Sequence, residues 1–197
     1  MLKFVIPTSV LAGLILLLSC CRQVKNSPEE NDITRNAIIS KNNLMYATEL
    51  ELNAENVRCH DLILNTTDSN AIKQLLRTGP KLFFNFSEMN CETCVDEQIR
   101  LLKKYTEVIG SENIIFLGSY SEQRKFEIFL KSRHLHFPAY SISEHAKNNT
   151  LRIANANLPY YFIADHTLRV HNAFLPIREE PQLTETFLKS VPGFLTN

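Results

Sequence analysis

The sequence contains no tryptophan and no excess of charge of either sign, since 21 lysines and arginines balance 21 aspartates and glutamates in 197 residues. The balanced charge gives no indication of binding to nucleic acid or to an acidic lipid surface. No internal repeat or low-complexity segment is found. The 12 phenylalanines and the 44% hydrophobic content are nevertheless enough for a packed core.

An apolar stretch long enough to span a membrane is also lacking. The apolar run Phe4–Leu18 is shorter than the ~20 residues that a bilayer requires. It follows the positively charged Lys3 and leads into Leu17-Leu18-Ser19-Cys20, the pattern of a bacterial lipoprotein signal whose cysteine takes lipid before cleavage. We therefore expect a signal peptide over residues 1–19 and lipidation at Cys20, with a transmembrane anchor or an ordinary signal peptide as the alternative.

The remaining chain divides into three parts. Residues 20–32 are polar and predict a flexible, lipidated tether. Residues 33–56 form an N-terminal extension in which the pattern favours neither helix nor hairpin. Residues 57–197 have the size of one domain. This organisation predicts a protein of the bacterial cell envelope, anchored to the membrane through Cys20 and facing the periplasm or the cell surface.

Strands and helices alternate along the domain. A short strand is predicted over Val57–Leu64 and a buried strand over Leu82–Phe86, with a helix between them that Thr67–Ser69 caps. The elements that follow are a helix after Cys94 with Val95, Ile99, Leu102, Tyr105 and Ile109 on one stripe, a strand over Asn113–Gly118, a helix capped by Ser121, a short strand over Phe137–Ile142, a hairpin of Pro159–Ala164 and Leu168–Phe174, and a last helix over Gln182–Ser190. This order predicts an α/β fold whose parallel core has an antiparallel edge.

The motif Cys91-Glu92-Thr93-Cys94 lies between the buried strand and the helix that follows it. On the first turn of a helix both sulfurs lie on one side, and the free N–H groups and the positive dipole end favour a thiolate at Cys91. A structural disulfide is the alternative, but so small a loop gains little stabilisation. We therefore predict a redox pair in which Cys91 attacks a substrate disulfide and Cys94 resolves the mixed disulfide, with no cofactor beyond this disulfide.

The other cysteines and histidines carry weaker signals. Cys21 continues the tether, and Cys59 stands alone. His60 would point to the opposite face of a strand from Cys59, so the two are not a ready ligand pair. His134 and His136 are expected in an exposed loop after a helix.

The element order and the cysteine motif resemble the thioredoxin fold, and the run from Lys81 to Cys94 is similar to the TlpA/ResA branch of membrane-tethered thiol–disulfide oxidoreductases. Asn85-Phe86 before the motif and Glu92 between the cysteines are features found in that branch. The resemblance implies a three-layer fold, with a central mixed sheet flanked by helices, and exchange with a protein disulfide or dithiol substrate. It also implies that Leu158-Pro159 corresponds to the family's cis-proline segment, which pairs with an extended substrate.

The chain departs from the family pattern at three positions. Asn90 precedes the first cysteine where the family usually has tryptophan, and Thr93 precedes the second cysteine where proline is common. The neutral Asn85 lies where thioredoxin has a buried acid, which removes the base that would deprotonate the second thiol. Glu92 is a possible accessory group in its place, although a solvated glutamate on a first helical turn is the plainer interpretation.

Two other functions remain open. A non-catalytic binding module would keep the fold and use the groove over Leu158 and Pro159, since fold alone does not establish activity. A Sco-like copper protein would add His166 or His171 to the two cysteines, because thiolates and imidazole suit copper. The Sco motif spaces its cysteines one residue further apart, however, so our expectation is that the chain binds no metal.

Overall fold

The computed structural model describes residues 59–64, 66–142 and 158–196. The predicted signal peptide, the lipidation site at Cys20, the tether and the extension over residues 33–56 lie outside the described residues. None of the helices in the described ranges combines the length and the apolar character that crossing a bilayer would require.

A five-stranded mixed sheet forms the centre of the domain, in the order β3-β2-β1-β4-β5. Strands β1, β2 and β3 are parallel, whereas β4 runs antiparallel to both β1 and β5. The strands are β1 (Lys81–Ser87), β2 (Ile114–Ser119), β3 (Ala139–Ile142), β4 (Tyr160–Ala164) and β5 (Val170–Phe174). The sheet therefore has the predicted parallel core, and its antiparallel edge is the predicted late hairpin.

Five α-helices flank this sheet in the described part of the chain. They are α1 (His60–Leu64), α2 (Ser69–Arg77), α3 (Glu92–Ile109), α4 (Gln123–Ser132) and α5 (Pro181–Leu195), and a 3-10 turn, Ser111–Asn113, precedes β2. Asp68 caps α2 by accepting a hydrogen bond from the Ala71 N–H at 2.9 Å. The predicted apolar stripe of α3 is buried along its whole length, as expected.

Side chains alternate across β1 and so divide the interior into two cores, one on each face of the sheet. Leu82, Phe84 and Phe86 point to the face covered by α3, α4 and α5. Phe83 points to the opposite face, where it packs in one cluster with residues of α1 and α2. Helices thus cover both faces, and the predicted three-layer α/β fold is confirmed.

Two predicted elements are wrong in detail. The segment predicted as a strand over Val57–Leu64 contains the helix α1, since short apolar runs do not distinguish the two structures by periodicity. Leu62 and Ile63 are consecutive and both buried, which a half-exposed strand would not allow. Ser121 does not cap α4, because its N–H and hydroxyl donate to the Glu88 carboxylate at 2.9 and 3.1 Å, and the helix begins two residues later.

Candidate active site

The junction between β1 and α3 presents the cysteine motif at the edge of the sheet. A tight turn leads into it, because the Ser87 N–H donates to Asn90 Oδ1 at 2.7 Å and the Asn90 N–H donates to the Ser87 carbonyl at 3.1 Å. Glu88 fixes this turn to the loop after β2 through Ser121. Asn90 therefore shapes the approach to Cys91 with its side-chain amide.

Cys91 is the N-cap of α3, and its sulfur accepts a hydrogen bond from the Cys94 N–H at 3.4 Å. Cys91 is exposed and Cys94 is half-buried, and both are free thiols. This arrangement follows from the motif itself, since a first-turn residue three positions after the cap lies beneath it. The two sulfurs therefore share one site at the N-terminus of an 18-residue helix.

The two thiols differ in pKa because their surroundings differ. Hydrogen bonds from the Cys94 side chain and backbone lower the pKa of Cys91 below its ordinary value, and the positive charge of Arg178 acts in the same direction. Burial raises the pKa of Cys94 to about 11, and its hydrogen bond to Cys91 adds to that rise. Cys91 is consequently the more readily ionised and more accessible thiol, and Cys94 is held protonated behind it.

Arg178 reaches this site because of the sheet topology. Phe84 of β1 and Phe174 of β5 both pair with Tyr161 of β4, and β1 and β5 run in the same direction. Chain that leaves β5 therefore emerges at the sheet edge where Cys91 lies, and Arg178 is in that segment. The sequence holds no local signal for this electrostatic effect, since 87 positions separate Arg178 from Cys91.

Glu92 makes its contact with α4 rather than with the thiols. Its carboxylate accepts a hydrogen bond from Arg133 Nη2 at 2.6 Å, and Arg133 also pairs with Asp96 one turn further along α3. Glu92 remains largely exposed, with 78% of its side chain accessible. Its role as an accessory group stays a prediction, and the ion pair with Arg133 is a feature that sequence reasoning missed.

Asn85 lies on the strand before the motif and points to the face of the sheet opposite α3. It is buried and pairs with Tyr160 across β1 and β4. The Asn85 side chain interacts with the Tyr160 hydroxyl, but neither the Asn85 Oδ1 nor that hydroxyl makes a well-formed hydrogen bond among the described residues. Burial raises the pKa of Tyr160, so its hydroxyl stays protonated and cannot act as the missing base.

Leu158 and Pro159 lie where β4 begins, at the same sheet edge as the cysteines. Tyr160 is paired with Asn85, so the residue before it lies level with the end of β1. No cis peptide bond occurs within residues 59–64, 66–142 and 158–196, so the Leu158–Pro159 bond is trans and the expected cis-proline is wrong. Pro159 instead occupies the start of a strand, a position where the fixed φ of proline and its missing N–H are tolerated.

The structure keeps the other chemistry-bearing residues away from this site. His171 contacts Asp165 at 2.9 Å, and the turn with His166 lies beside Lys81, at the opposite end of β1 from Cys91. A seven-residue strand spans ~20 Å, so neither histidine can join the cysteines around one ion. Among the described residues no group of three or more histidine, cysteine, aspartate or glutamate side chains is arranged to hold a metal ion.

Cys59 and the two loop histidines are equally remote from the motif. Cys59 is 1% exposed in the core on the other face of the sheet, where its thiol donates to the Leu168 carbonyl at 3.4 Å. Burial raises the pKa of Cys59 to about 12. His134 and His136 are exposed in the loop after α4, as predicted.

The cysteine motif lies at the first parallel strand-to-helix junction of an α/β sheet, and the sheet ends in a late antiparallel hairpin. This is the arrangement predicted from the sequence. The fold is thioredoxin-like. No protein-family model matches the sequence, and no curated protein does. Solved structures to which the chain is similar include bacterial thiol:disulfide interchange proteins, a lipoprotein thioredoxin and a mycobacterial peroxidoxin.

Three of these structures illustrate the degree of similarity. A thiol:disulfide interchange protein from Bacteroides sp. has 12% identity and a TM-score of 0.44 over 64% of this chain and 78% of its own. A thioredoxin family protein from Chlorobium tepidum TLS, also a thiol:disulfide interchange protein, has 16% identity and a TM-score of 0.44 over 62% and 84%. The pneumococcal exposed lipoprotein thioredoxin from Streptococcus pneumoniae has 10% identity and a TM-score of 0.39 over 58% and 87%. Likenesses this distant do not assign an activity to the chain.

Proposed function

We propose that this chain is a thiol–disulfide oxidoreductase that exchanges a dithiol for a disulfide with protein substrates through Cys91 and Cys94. The observation that carries the proposal is the asymmetry of the two thiols at the start of α3. Cys91 is exposed and its pKa is lowered, whereas Cys94 lies behind it with a raised pKa. A nucleophile that a substrate can reach, with a resolving thiol in hydrogen-bond contact, is what two-step disulfide exchange requires.

In the first step the Cys91 thiolate attacks one sulfur of a substrate disulfide. A mixed disulfide forms between Cys91 and that sulfur, while the other substrate sulfur leaves as a thiolate and takes up a proton. In the second step Cys94, whose proton passes through solvent to the substrate thiolate released first, attacks the Cys91 sulfur and releases the remaining substrate sulfur as a thiolate. The substrate has then gained two electrons, and the protein holds a Cys91–Cys94 disulfide; the reverse sequence oxidises a substrate dithiol.

The start of β4 is the surface on which we place the substrate. Leu158 is half-buried and Pro159 buried, and both precede a strand whose first pairs lie at the cysteine end of the sheet. An extended substrate segment beside Leu158 would be held by main-chain hydrogen bonds, with its disulfide brought to the exposed Cys91. Because the Leu158–Pro159 bond is trans, this placement is supported by the position of the segment alone.

The redox proposal is tested by thiol trapping of the purified full chain, in detergent, across graded glutathione and dithiothreitol buffers. A reversible two-electron transition that is lost in Cys91→Ser and retained in Cys59→Ser is the expected result. If none of the buffers interconverts the dithiol and disulfide forms, the proposed oxidoreductase activity is contradicted. The midpoint potential would also show whether the chain works as a reductant or as an oxidant.

Capture of substrates separates the enzyme from a non-catalytic binding module. Cys94→Ser cannot resolve a mixed disulfide, so it should retain partner proteins on Cys91 that dithiothreitol releases. Cys91→Ser should retain none of them. Partners that bind Cys91→Ser as strongly as the unaltered chain would instead favour the binding module.

Anchoring in the cell envelope through lipid on Cys20 is the second part of the proposal, and it rests on the sequence pattern. Incorporation of labelled palmitate and recovery in the membrane fraction should both be lost in Cys20→Ala. The matched variant Cys21→Ala removes the neighbouring thiol and should keep both. Equal labelling of the two variants would exclude Cys20 as the lipid site.

A further inference from the structure

Arg133 joins the cysteine helix to α4 through two carboxylates. It is the C-cap residue of α4, and its side chain is only 18% exposed. Its guanidinium donates from Nη2 to Glu92 at 2.6 Å and from Nε to Asp96 at 2.5 Å. Glu92 and Asp96 are four positions apart on α3, so both carboxylates lie on the face of that helix next to α4.

The guanidinium is held in place by more than these ion pairs. Its central carbon lies 4.0 Å from the centroid of the Phe129 ring, a stacking contact in which arginine is favoured. Lys103 of α3 donates to the Arg133 carbonyl at 2.7 Å, which ties the backbone at the same point. Arg133 is thus fixed on three sides, and its orientation toward Glu92 is built into the contact between the two helices.

Glu92 is the immediate neighbour of Cys91, and its position makes this contact relevant to the thiol. A carboxylate close to a sulfur disfavours the thiolate by like-charge repulsion. Because Glu92 is 78% exposed, little apart from Arg133 restrains its side chain. We propose that Arg133 is a positioning residue of the Cys91–Cys94 site, which holds the Glu92 carboxylate against α4 and cancels the charge that would otherwise oppose a thiolate at Cys91.

The other charged or titratable groups around the motif are Arg178, Glu97, Glu88 and Tyr120. Arg178, in the segment between β5 and α5, acts favourably on both sulfurs, and Glu97 of α3 acts unfavourably on Cys94. Glu88 is bonded to Ser121 and lies 3.9 Å from Lys125. Burial keeps Tyr120, whose pKa is raised to about 12, as a neutral hydroxyl. Among the described residues, Glu92 is therefore the carboxylate adjacent to Cys91 along the chain, and the cation paired with it is Arg133.

The inference rests on one part of the proposed function, namely that Cys91 acts as a thiolate. Its test uses no substrate. The rate of Cys91 alkylation by iodoacetamide is followed against pH in the full chain, by peptide mass spectrometry. Arg133→Gln should raise the apparent pKa of Cys91 and slow alkylation below it by about two- to threefold, the size expected for one exposed charge several ångströms away. The double variant Glu92→Gln/Arg133→Gln should regain the original profile.

Matched variants keep the result interpretable. Arg124→Gln removes the same charge from an exposed position of α4 and should leave the profile unchanged. A Cys91 profile that does not move in folded Arg133→Gln, or that stays shifted in the double variant, would overturn the proposal. If circular dichroism shows that Arg133→Gln is unfolded, Arg133→Lys takes its place: a smaller shift that Glu92→Gln abolishes supports the proposal, and no shift overturns it. Failure of the enzyme proposal would appear separately, as a missing redox transition.

Discussion

The two faces of the sheet hold the same chemical group in opposite ways. On the α3 face, Cys91 caps a long helix, is exposed and has a lowered pKa. On the other face, Cys59 is 1% exposed and burial raises its pKa to about 12. Both are unpaired thiols in the same domain. Their reactivity is therefore set by helix position and solvent access, because a thiolate needs either solvation or hydrogen-bond donors.

The two faces also differ in how they hold the hydroxyls of two adjacent buried tyrosines. Tyr161 points to the α3 face, where its hydroxyl donates to Gln98 at 3.1 Å. Its neighbour Tyr160 points to the other face, where its hydroxyl interacts with the Asn85 side chain but makes no well-formed hydrogen bond among the described residues. The contrast between the faces therefore applies to these two adjacent tyrosines, since the buried Thr184 hydroxyl of α5, on the α3 side, also has no hydrogen-bond partner among the described residues.

The contrast between the thiols predicts the largest effect. At neutral pH, Cys91 should be alkylated at least about a thousandfold faster than Cys59, because burial raises the pKa of Cys59 to about 12 and so keeps that thiol almost entirely protonated. The rate at Cys91 should reach its plateau at a pH below the ordinary thiol range, since its pKa is lowered. Peptide mass spectrometry of partly alkylated chain measures both rates. Equal rates in the native protein would refute the contrast, while equal rates in guanidinium are the expected control.

Close packing on the α3 face predicts the next largest effect. A Cβ added at Gly118 of β2 would lie 2.2 Å from the Phe126 ring, which is fully buried and contacts the rings of Phe86 and Tyr120. Because the ring has no room to move, Gly118→Ala should lower the free energy of unfolding by about 1–3 kcal/mol in urea denaturation.

A second glycine provides the control for that substitution. Gly193 is exposed in α5, and a Cβ there would have no neighbour within 4 Å. Gly193→Ala should raise the free energy of unfolding by about 0.5–1 kcal/mol through helix propensity. If both substitutions change stability in the same direction, close packing at Gly118 is not the cause.

The adjacent tyrosines compare the two faces directly. Tyr161→Phe leaves the Oε1 atom of Gln98, which is 4% exposed, without its donor and should cost about 1–3 kcal/mol. Tyr160→Phe removes a hydroxyl that interacts with Asn85 but makes no well-formed hydrogen bond among the described residues, so the loss of stability should be smaller, about 0.5 kcal/mol or less. Urea denaturation of the two variants measures the difference. A larger loss in Tyr160→Phe would reveal a well-formed hydrogen bond at that hydroxyl and remove the contrast.

The sequence allowed most of the fold, and the position of the two thiols at a strand-to-helix junction, to be predicted, because those features are local. The spacing of Cys91 and Cys94, the apolar stripe after them and the cap at Asp68 each depend on residues a few positions apart. The short segment before Leu64 was predicted wrongly, since five apolar and polar residues fit a strand and a helix equally well.

The contacts that tune the site could not be predicted, because they join distant parts of the chain. Arg133 and Glu92 are 41 positions apart, and Arg133 is one of several basic residues around α4. The buried pair of Tyr161 and Gln98 is separated by 63 positions. Strand order brings these side chains together, and a single sequence carries no periodic signal for such pairings.

Arg178 provides the last test, which compares the cysteine end of the sheet with the opposite end. Its charge lowers the pKa of both Cys91 and Cys94. Arg178→Gln should therefore raise both values and slow Cys91 alkylation below its pKa by about two- to threefold. Because Arg178 is exposed, the effect should shrink at about 1 M salt, where screening acts within about 3 Å.

Arg169 makes the matched control, since it is exposed beside the turn at the opposite end of β4. Arg169→Gln removes the same charge and should leave the alkylation rate of Cys91 unchanged. If the two variants slow alkylation equally, net charge rather than position would control the thiol. If only Arg178→Gln does so and salt removes the difference, the chain leaving β5 contributes a local field that helps to make Cys91, and not Cys59, the reactive thiol.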